Sequence, residues 1–173
     1  NEIWNFQQVK YYEIFSKISR SNKTLRDVSV AIYQGIASGK DEVFYLMEND
    51  LSIYNLKNSL IKPLVKGKDI KRYSLNWSGH FVIYTYNNDG SVISESELAS
   101  TNSNLLEYLH NKRDLLEGRS YFDNSNKKWY ELWCQRKPIL LNKQKLIVPE
   151  ISQRNNFYFD EDSYYGNTKV YHI

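Results

Sequence analysis

The sequence predicts an α+β domain in which one mixed sheet packs with a few helices. Short segments rich in β-branched and aromatic residues recur along the chain, and segments with helical periodicity lie between them without strict alternation. The chain has 173 residues, of which 41% are hydrophobic, enough to bury one sizeable core. No repeat or low-complexity linker interrupts it, so we expect a single domain over residues 1–173.

The N-terminal segments predict a helix, a strand and a glycine loop, in that order. The stretch IWNFQQVKYYEIFSKI has apolar residues at helical spacing and ends at the polar SRSNKT. That face consists of Trp4, Tyr11, Phe15 and Ile18. The alternation of Val28, Val30 and Ile32 predicts a half-buried strand. A loop from Gly35 to Gly39 then precedes a second strand over residues 43–47, and we expect a positive φ angle at one of the two glycines.

The middle of the chain predicts two strands and a charged turn. LIKPLV is a short strand, and Pro63 within it favours an edge or strand-start position. In the following PLVKGKDIKRY, five of eleven residues are Lys, Arg or Asp, and Gly67 marks a turn before another extended piece. HFVIYTY is a strong strand that the turn sequence NNDG closes.

The C-terminal half predicts one long helix and three strands. NLLEYLHNKRDLLEGR has an apolar stripe, with Asn104 and Glu107 resembling a capping box and Gly118 suited to the C-cap. The stripe consists of Leu105, Leu109, Lys112 and Leu116. KKWYELW predicts one or two helical turns, and QKLIVPEI, NFYFD and KVYHI predict strands.

Composition narrows the class of protein. The single Cys134 excludes an internal disulfide and a cysteine-rich zinc site, and we expect it to be a buried, inert thiol in a reducing compartment. No apolar run approaches membrane-spanning length, and the N-terminus lacks the apolar core of a signal peptide. We therefore expect a cytoplasmic protein without a membrane partner. Because the chain begins without Met and stops on a predicted strand, we also expect it to be part of a longer protein.

Catalytic motifs are weak. His80, His110 and His172 lack metal-binding spacing, so surface or hydrogen-bonded structural roles are favoured. The D-x-K match at Asp69 and Lys71 would suit a metal-dependent nuclease if a second carboxylate, such as that of Asp41 or Asp50, joined it. A carbohydrate- or protein-binding module that uses exposed aromatic rings is a further alternative, because aromatic residues make up 15% of the chain.

Basic residues occur in clusters among Tyr, Trp, Asn and Gln side chains, although the net charge is only +3. Such a surface could contact phosphates and base edges, whereas each cluster alone is more typical of a solvated face. The clusters are Lys62 to Arg72, a second of Lys127, Lys128, Arg136 and Lys137, a third of Lys143 and Lys145, and Arg154 beside Asn155 and Asn156.

Five segments in order resemble the TaqI-like C-terminal specificity domain, the target-recognition module of adenine-specific DNA methyltransferases and fused restriction-modification enzymes. They are YQGIASGKDEVF, IKPLVKGKDIKRY, a YL helix that ends in LLEGR, KKWYELW and KLIVPEIS, and the matches run from Trp4 to about Phe159. Ser38 stands where the family usually has Thr, and Lys68 where it usually has Arg.

The resemblance implies a domain that recognises double-stranded DNA and is not catalytic by itself. The N/D-P-P-Y/F tetrapeptide of these methyltransferases is absent from the sequence, as is a glycine-rich loop for S-adenosylmethionine. The resemblance implies that an N-terminal methyltransferase domain of a prokaryotic parent protein binds S-adenosylmethionine and methylates the DNA. Mg²⁺ would be needed in a nuclease domain, if one is fused to the same protein.

The resemblance also implies roles for individual residues. Phosphate contacts are expected from Lys66, Lys68, Lys71, Arg72, Lys127, Lys128, Lys143 and Lys145. Base contacts are expected from Gln34, Ser38, Lys40, Arg154 and Asn155. The loop between Gly35 and Gly39 is expected to lie on the DNA-facing side. Structural roles are expected of Gly35, Gly39, Gly67, Asp69, Tyr73, Arg119, Trp129, Pro149 and Glu150, with Asp69 orienting Arg72. No catalytic or metal-binding residue is expected.

Overall fold

The computed structural model describes residues 12–20, 23–56 and 58–173. Its contacts group the chain into two compact units, Asn1–Ile32 and Tyr33–Ile173, where the sequence predicts one domain. The recognition role expected of residues 1–173 as a whole stays a prediction.

The first unit contains two helices, α1 (Tyr12–Ser19) and α2 (Leu25–Val28). Of the predicted apolar face, Ile18 lies in α1 and is exposed, Phe15 lies in α1, and Trp4 and Tyr11 lie outside the described residues. The predicted strand through Val28, Val30 and Ile32 is wrong. The Asp27 carboxylate accepts a hydrogen bond from the Thr24 backbone N at 2.6 Å, which starts a helical turn instead, and Val30 is fully exposed.

The second unit is a mixture of short helices and strands. Its helices are α3 (Asp41–Phe44), α4 (Glu48–Ile53), α5 (Glu95–Thr101), α6 (Ser103–His110), α7 (Arg113–Glu117) and α8 (Pro138–Leu141). Its strands are β1 (Tyr33–Gln34), β2 (Tyr45–Met47), β3 (Ile61–Val65), β4 (Ile70–Lys71), β5 (Ser74–Leu75), β6 (His80–Ile83), β7 (Lys145–Pro149), β8 (Tyr158–Asp160), β9 (Tyr165–Gly166) and β10 (Val170–His172). Two 3-10 turns lie at Gly67–Asp69 and Ser120–Phe122.

The strands form two four-stranded sheets and one hairpin, which confirms the α+β class but not the single mixed sheet that the sequence predicts. The sheets have the orders β1-β10-β7-β8 and β2-β6-β3-β9, and β4 with β5 forms the hairpin. Neighbouring strands are antiparallel except β3 and β9, which are parallel. Pro63 lies in the interior strand β3, but β9 pairs only from Leu64 onward, so the missing N–H leaves no gap in the sheet.

Most buried apolar side chains form one core between the β2-β6-β3-β9 sheet and the helices of the second unit. A smaller cluster of Val65, Ile70, Ile147 and Val170 lies between the 67–71 segment and β7. This second cluster fixes the charged turn against the other sheet.

Two helix predictions need correction. The long helix is two helices, α6 and α7, and its N-cap is Asn102, so the predicted capping box at Asn104 is wrong. Gly118 lies at the C-cap as predicted. The predicted helical turns in KKWYELW are absent. The segment makes one turn, closed by the Glu131 backbone N on the Lys128 O at 2.9 Å, and the Trp129 and Glu131 carbonyls accept from the buried Arg119 instead of continuing a helix.

Candidate nucleic-acid interface

The charged turn after β3 is held by a buried carboxylate. Asp69 is 2% exposed, and its Oδ2 accepts a hydrogen bond from the Lys66 backbone N at 2.9 Å. Asp69 therefore caps the 3-10 turn. The prediction that it orients Arg72 is wrong, because the Arg72 guanidinium lies over the Tyr73 ring, 5.3 Å from its centroid.

Gly67 is required by close packing. A Cβ atom at this position would lie 2.8 Å from the Lys169 backbone O, which is closer than a carbon and an oxygen can approach. The glycine thus brings the 66–71 segment against the turn between β9 and β10. The same turn meets Gly35, where a Cβ would lie 2.2 Å from the Asn167 O.

An open groove of about 500 Å³ lies where these segments meet. One wall is the 66–71 segment, and the other is the end of β7 with the loop 150–156 that follows it. Asn167 and Lys169 complete the lining. The groove therefore joins two segments that are about 80 residues apart in the sequence, and both carry motifs of the resemblance.

The groove is electropositive. Four lysines line it, Lys66, Lys68, Lys71 and Lys169, together with one acid, Glu150. The Glu150 carboxylate is paired with Lys169 at 2.8 Å. Burial and the neighbouring Lys66 and Lys68 charges lower the pKa of the nearby His80. A surface of this charge favours anions such as phosphates.

The loop on the second wall is polar and open to solvent. Arg154 and Asn155 are exposed, and Ser152 and Asn156 face the groove. Ile151 lines the groove and is 86% exposed. Ile151, Asn156, Asn167 and Lys169 were not among the predicted contact residues. The PEIS motif in the sequence indicates the start of this loop, but no motif predicts that Lys169 lies next to it.

Two of the predicted base-contact residues have side chains that bond within the fold. The Gln34 side-chain amide donates to the Thr168 backbone O at 2.7 Å. Ser38 is 1% exposed, and its hydroxyl donates to the Asp41 carboxylate. Both side chains serve the fold. Lys40 is partly exposed and pairs with Glu42 at 2.8 Å.

The glycine loop has the predicted backbone at one position, since Gly39 has a φ angle of 76°. The left-handed conformation lets the chain turn from the Ser38 site into α3.

Lys145 is the clearest error among the predicted phosphate contacts. It is 5% exposed, and its ammonium pairs with the fully buried Asp160 at 2.5 Å. The two residues face each other in the antiparallel β7–β8 pair. Burial lowers the pKa of Lys145, and the Asp160 hydrogen bond opposes that shift. This lysine stabilises the fold and is closed to a phosphate.

The other predicted phosphate contacts lie outside the groove lining. Lys128 is exposed, and Lys127 approaches Glu131 at 3.7 Å. Lys143 is exposed in the turn before β7. The basic clusters of the sequence therefore do not all line one site.

Arg119 connects three of the family-like segments in the interior. It is 4% exposed, and its guanidinium donates to the carbonyls of Leu116 (2.7 Å), Trp129 (2.5 Å) and Glu131 (3.0 Å). A longer bond of 3.4 Å reaches the Ser38 carbonyl in the glycine loop. The guanidinium also lies 3.5 Å from the centroid of the Phe122 ring. Arg119 thus joins the end of α7, the glycine loop and the WYEL segment.

The remaining predicted structural residues differ in role. The Trp129 indole donates to the Glu95 carboxylate at 2.5 Å, and Pro149 pairs with Val170 at the edge of the groove. Tyr73 is 77% exposed, so its predicted structural role is wrong for the side chain.

Two further expectations fail. His172 is fully buried, and neither ring nitrogen has a partner at hydrogen-bond geometry among the described residues, whereas a surface or hydrogen-bonded role was expected. Cys134 is half-buried, and its sulfur accepts from the Arg136 guanidinium at 2.6 Å. In the described ranges, no three His, Cys, Asp or Glu side chains are grouped to hold a metal ion, and no helix is long and apolar enough to cross a membrane.

The comparisons with known proteins first define a fold. The structure of the type IIL restriction-modification enzyme MmeI in complex with DNA matches 83% of this chain with a TM-score of 0.60, at 13% identity and over 19% of that enzyme. The fold is therefore that of a region of a restriction-modification enzyme.

Sequence comparison then gives the family. The chain belongs to the TaqI-like C-terminal specificity domain family, whose model matches residues 62–173. The type II methyltransferase M.BstVI of Geobacillus stearothermophilus is 23% identical over 175 residues, which cover 100% of this chain and 30% of that protein. M.XhoI of Xanthomonas vasicola is 24% identical over 173 residues, again 100% of this chain and 30% of that protein. M.MjaIV of Methanocaldococcus jannaschii is 27% identical, over 92% of this chain and 55% of that protein. The chain thus spans about a third of the length of the first two relatives.

Proposed function

We propose that this protein is a DNA target-recognition domain that binds double-stranded DNA along the basic groove. The observation that carries the proposal is the convergence of Lys66, Lys68, Lys71 and Lys169 on one open groove beside an exposed polar loop. Lysines position a duplex through its phosphates, and polar loop residues read base edges. Family membership supports this role.

Phosphate contacts are assigned to the first wall and to Lys169. Lys68, Lys71 and Arg72 are exposed, and the buried Asp69 fixes the backbone that carries them. Lys66 is partly buried, so it contributes to phosphate binding mainly through the electrostatic potential of its positive charge. Lys127, Lys128 and Lys143 remain candidates for contacts outside the groove.

Base contacts are assigned to the second wall. Arg154 and Asn155 are exposed in the loop after β7, and Asn156 lines the groove. Arg pairs well with guanine and Asn with adenine in the major groove, because each can make two hydrogen bonds to one base edge. Lys40 stays a candidate, since it is partly exposed.

Catalysis is assigned to another part of a longer protein. The relatives are type II methyltransferases and extend well beyond the matched region. We infer a prokaryotic, cytoplasmic parent in which an N-terminal domain binds S-adenosylmethionine and methylates adenine, with Mg²⁺ required only if a nuclease is fused. The nuclease alternative loses support because the Asp69 carboxylate, which would hold the metal, is buried and accepts the Lys66 N–H.

The test separates phosphate contacts from base contacts. Duplexes selected from a random pool supply the preferred site, and a scrambled duplex supplies the reference. Lys71→Ala should weaken binding to both duplexes equally and lower the salt slope by about one unit. Arg154→Ala should cost about 1–3 kcal/mol on the preferred site alone. Lys137→Ala changes an exposed lysine outside the groove and is the matched control.

The proposal is wrong if the wild-type protein binds no duplex, or if Lys71→Ala and Lys137→Ala have the same effect. Methyl transfer or plasmid cleavage by residues 1–173 alone would contradict the non-catalytic assignment.

A further inference from the structure

The tip of the β4–β5 hairpin has an unusual residue in an unusual conformation. The pairs Ile70–Leu75 and Lys71–Ser74 leave Arg72 and Tyr73 as a two-residue turn. Tyr73 has a φ angle of 61°, in the left-handed region that Gly and Asn occupy most readily. A tyrosine at this position strains the backbone, where a glycine or asparagine would not.

Burial of the Tyr73 side chain does not explain why a tyrosine occupies this strained position. Its side chain is 77% exposed, and the ring contact that the structure shows is the Arg72 guanidinium, 5.3 Å from the ring centroid. The side chain therefore adds little buried area to offset the backbone strain. A strained backbone that carries an exposed aromatic ring is typical of a ligand contact.

The tip stands at the groove and is firmly held. The Tyr73 backbone N donates to the Phe157 O at 2.9 Å, which links the hairpin to the loop that carries Arg154 and Asn155. Lys71, one residue before the turn, lines the groove, and Arg72 adds an exposed cation. The ring thus lies beside the Arg72 cation and two residues from Lys71, which lines the groove where the polyanion is proposed to lie.

We propose that Tyr73 stacks on an unstacked nucleobase of the bound DNA, with Arg72 holding the ring and contacting a neighbouring phosphate. This inference rests on the proposed function and adds a contact of a different kind from the lysines. Aromatic rings bind the faces of bases, which are available only where a base pair is open or a base is unpaired. Stacking releases no counterions, so its loss lowers affinity without changing the salt slope.

The experiment compares two synthetic duplexes of one mixed sequence, one fully paired and one with a single bulged adenine. The wild-type protein should bind the bulged duplex about tenfold more tightly, as expected for one stacked base. Tyr73→Phe keeps the ring and should keep the preference. Tyr73→Asn suits the left-handed backbone, so it should fold at least as stably as wild type and lose the preference at an unchanged salt slope.

The outcomes separate this inference from the proposed function. If the wild-type protein binds neither duplex, both fail. If Lys71→Ala weakens binding but Tyr73→Asn retains the wild-type preference, the stacking assignment alone is wrong. An iodouracil in place of the bulged base gives a second measurement on the wild-type protein: ultraviolet light should crosslink it to Tyr73, and a crosslink elsewhere would overturn the assignment.

Discussion

Replacing the buried Arg119 with methionine should strongly destabilise the second unit. The substitution keeps an apolar stem but removes the donor for the carbonyls of Leu116, Trp129 and Glu131, which lie 2.5–3.0 Å from the guanidinium nitrogens. Each buried carbonyl left without a donor costs about 1–3 kcal/mol. The methionine side chain fills part of the volume that the arginine occupied, which offsets part of this cost. We expect a loss of about 4 kcal/mol from the free energy of unfolding, a large share of the roughly 5–15 kcal/mol of a typical domain.

Urea unfolding followed by tryptophan fluorescence measures this loss. For an m-value of about 2 kcal/mol/M, the unfolding midpoint should fall by about 2 M. Arg113→Met is the matched control, because Arg113 also lies over an aromatic ring, that of Trp129 at 4.9 Å, but pairs with Glu117 on the surface. The control should lose less than about 1 kcal/mol. Equal losses in the two variants would refute the role given to the Arg119 hydrogen bonds.

Two further predictions concern buried charge. Lys145→Met should lose about 3–5 kcal/mol of stability because it removes the cation from the buried Asp160 carboxylate. The double variant with Asp160→Asn removes the charge but keeps an oxygen that can accept from the Asp162 or Tyr164 backbone N, so it should recover part of that loss in the same urea assay; no recovery would contradict the pairing. The second prediction concerns His172, whose pKa is lowered from 6.5 to about 3 by burial and then by the Lys145 and Arg136 charges. Between pH 6.5 and 3 the unfolded chain therefore binds more protons at this histidine than the folded chain does. The free energy of unfolding should fall as the pH drops through that range. The contribution is at most about 5 kcal/mol, and His172→Phe should flatten the pH dependence in that window; an unchanged pH profile would exclude His172 as its source.

The sequence predicts local structure well where one pattern decides it. The strands β3, β6, β7, β8 and β10 lie in the segments expected from their β-branched and aromatic residues. The NNDG turn forms with a φ angle of 91° at Gly90. The family and the α+β class follow from the order of these segments and their short motifs.

The site was less predictable because charge clusters along a chain do not report burial. Lys143 and Lys145 are two residues apart, yet one is exposed and the other is closed off opposite Asp160 in the β7–β8 register. Conversely, Lys169 reaches the groove only because Gly67 allows the two backbones to touch. Both outcomes depend on strand pairing between distant segments, which motif spacing does not specify.

The strained and buried residues were missed for a related reason. Nothing in the local sequence shows that Tyr73 takes a left-handed backbone or that His172 is enclosed beside the Tyr33 ring, 5.1 Å away. Each state is imposed by tertiary contacts, the Phe157 carbonyl for Tyr73 and the β1–β10 pairing for His172.

Hydrogen exchange in the presence and absence of a saturating DNA duplex tests the central claim most directly. If the groove is the interface, backbone amides in segments 66–76 and 150–157 should exchange more slowly in the complex, and those in α5 (Glu95–Thr101), which is acidic and outside the groove lining, should be unchanged. Protection of α5 with no change in the two groove segments would contradict the assignment of the groove as the DNA-binding surface.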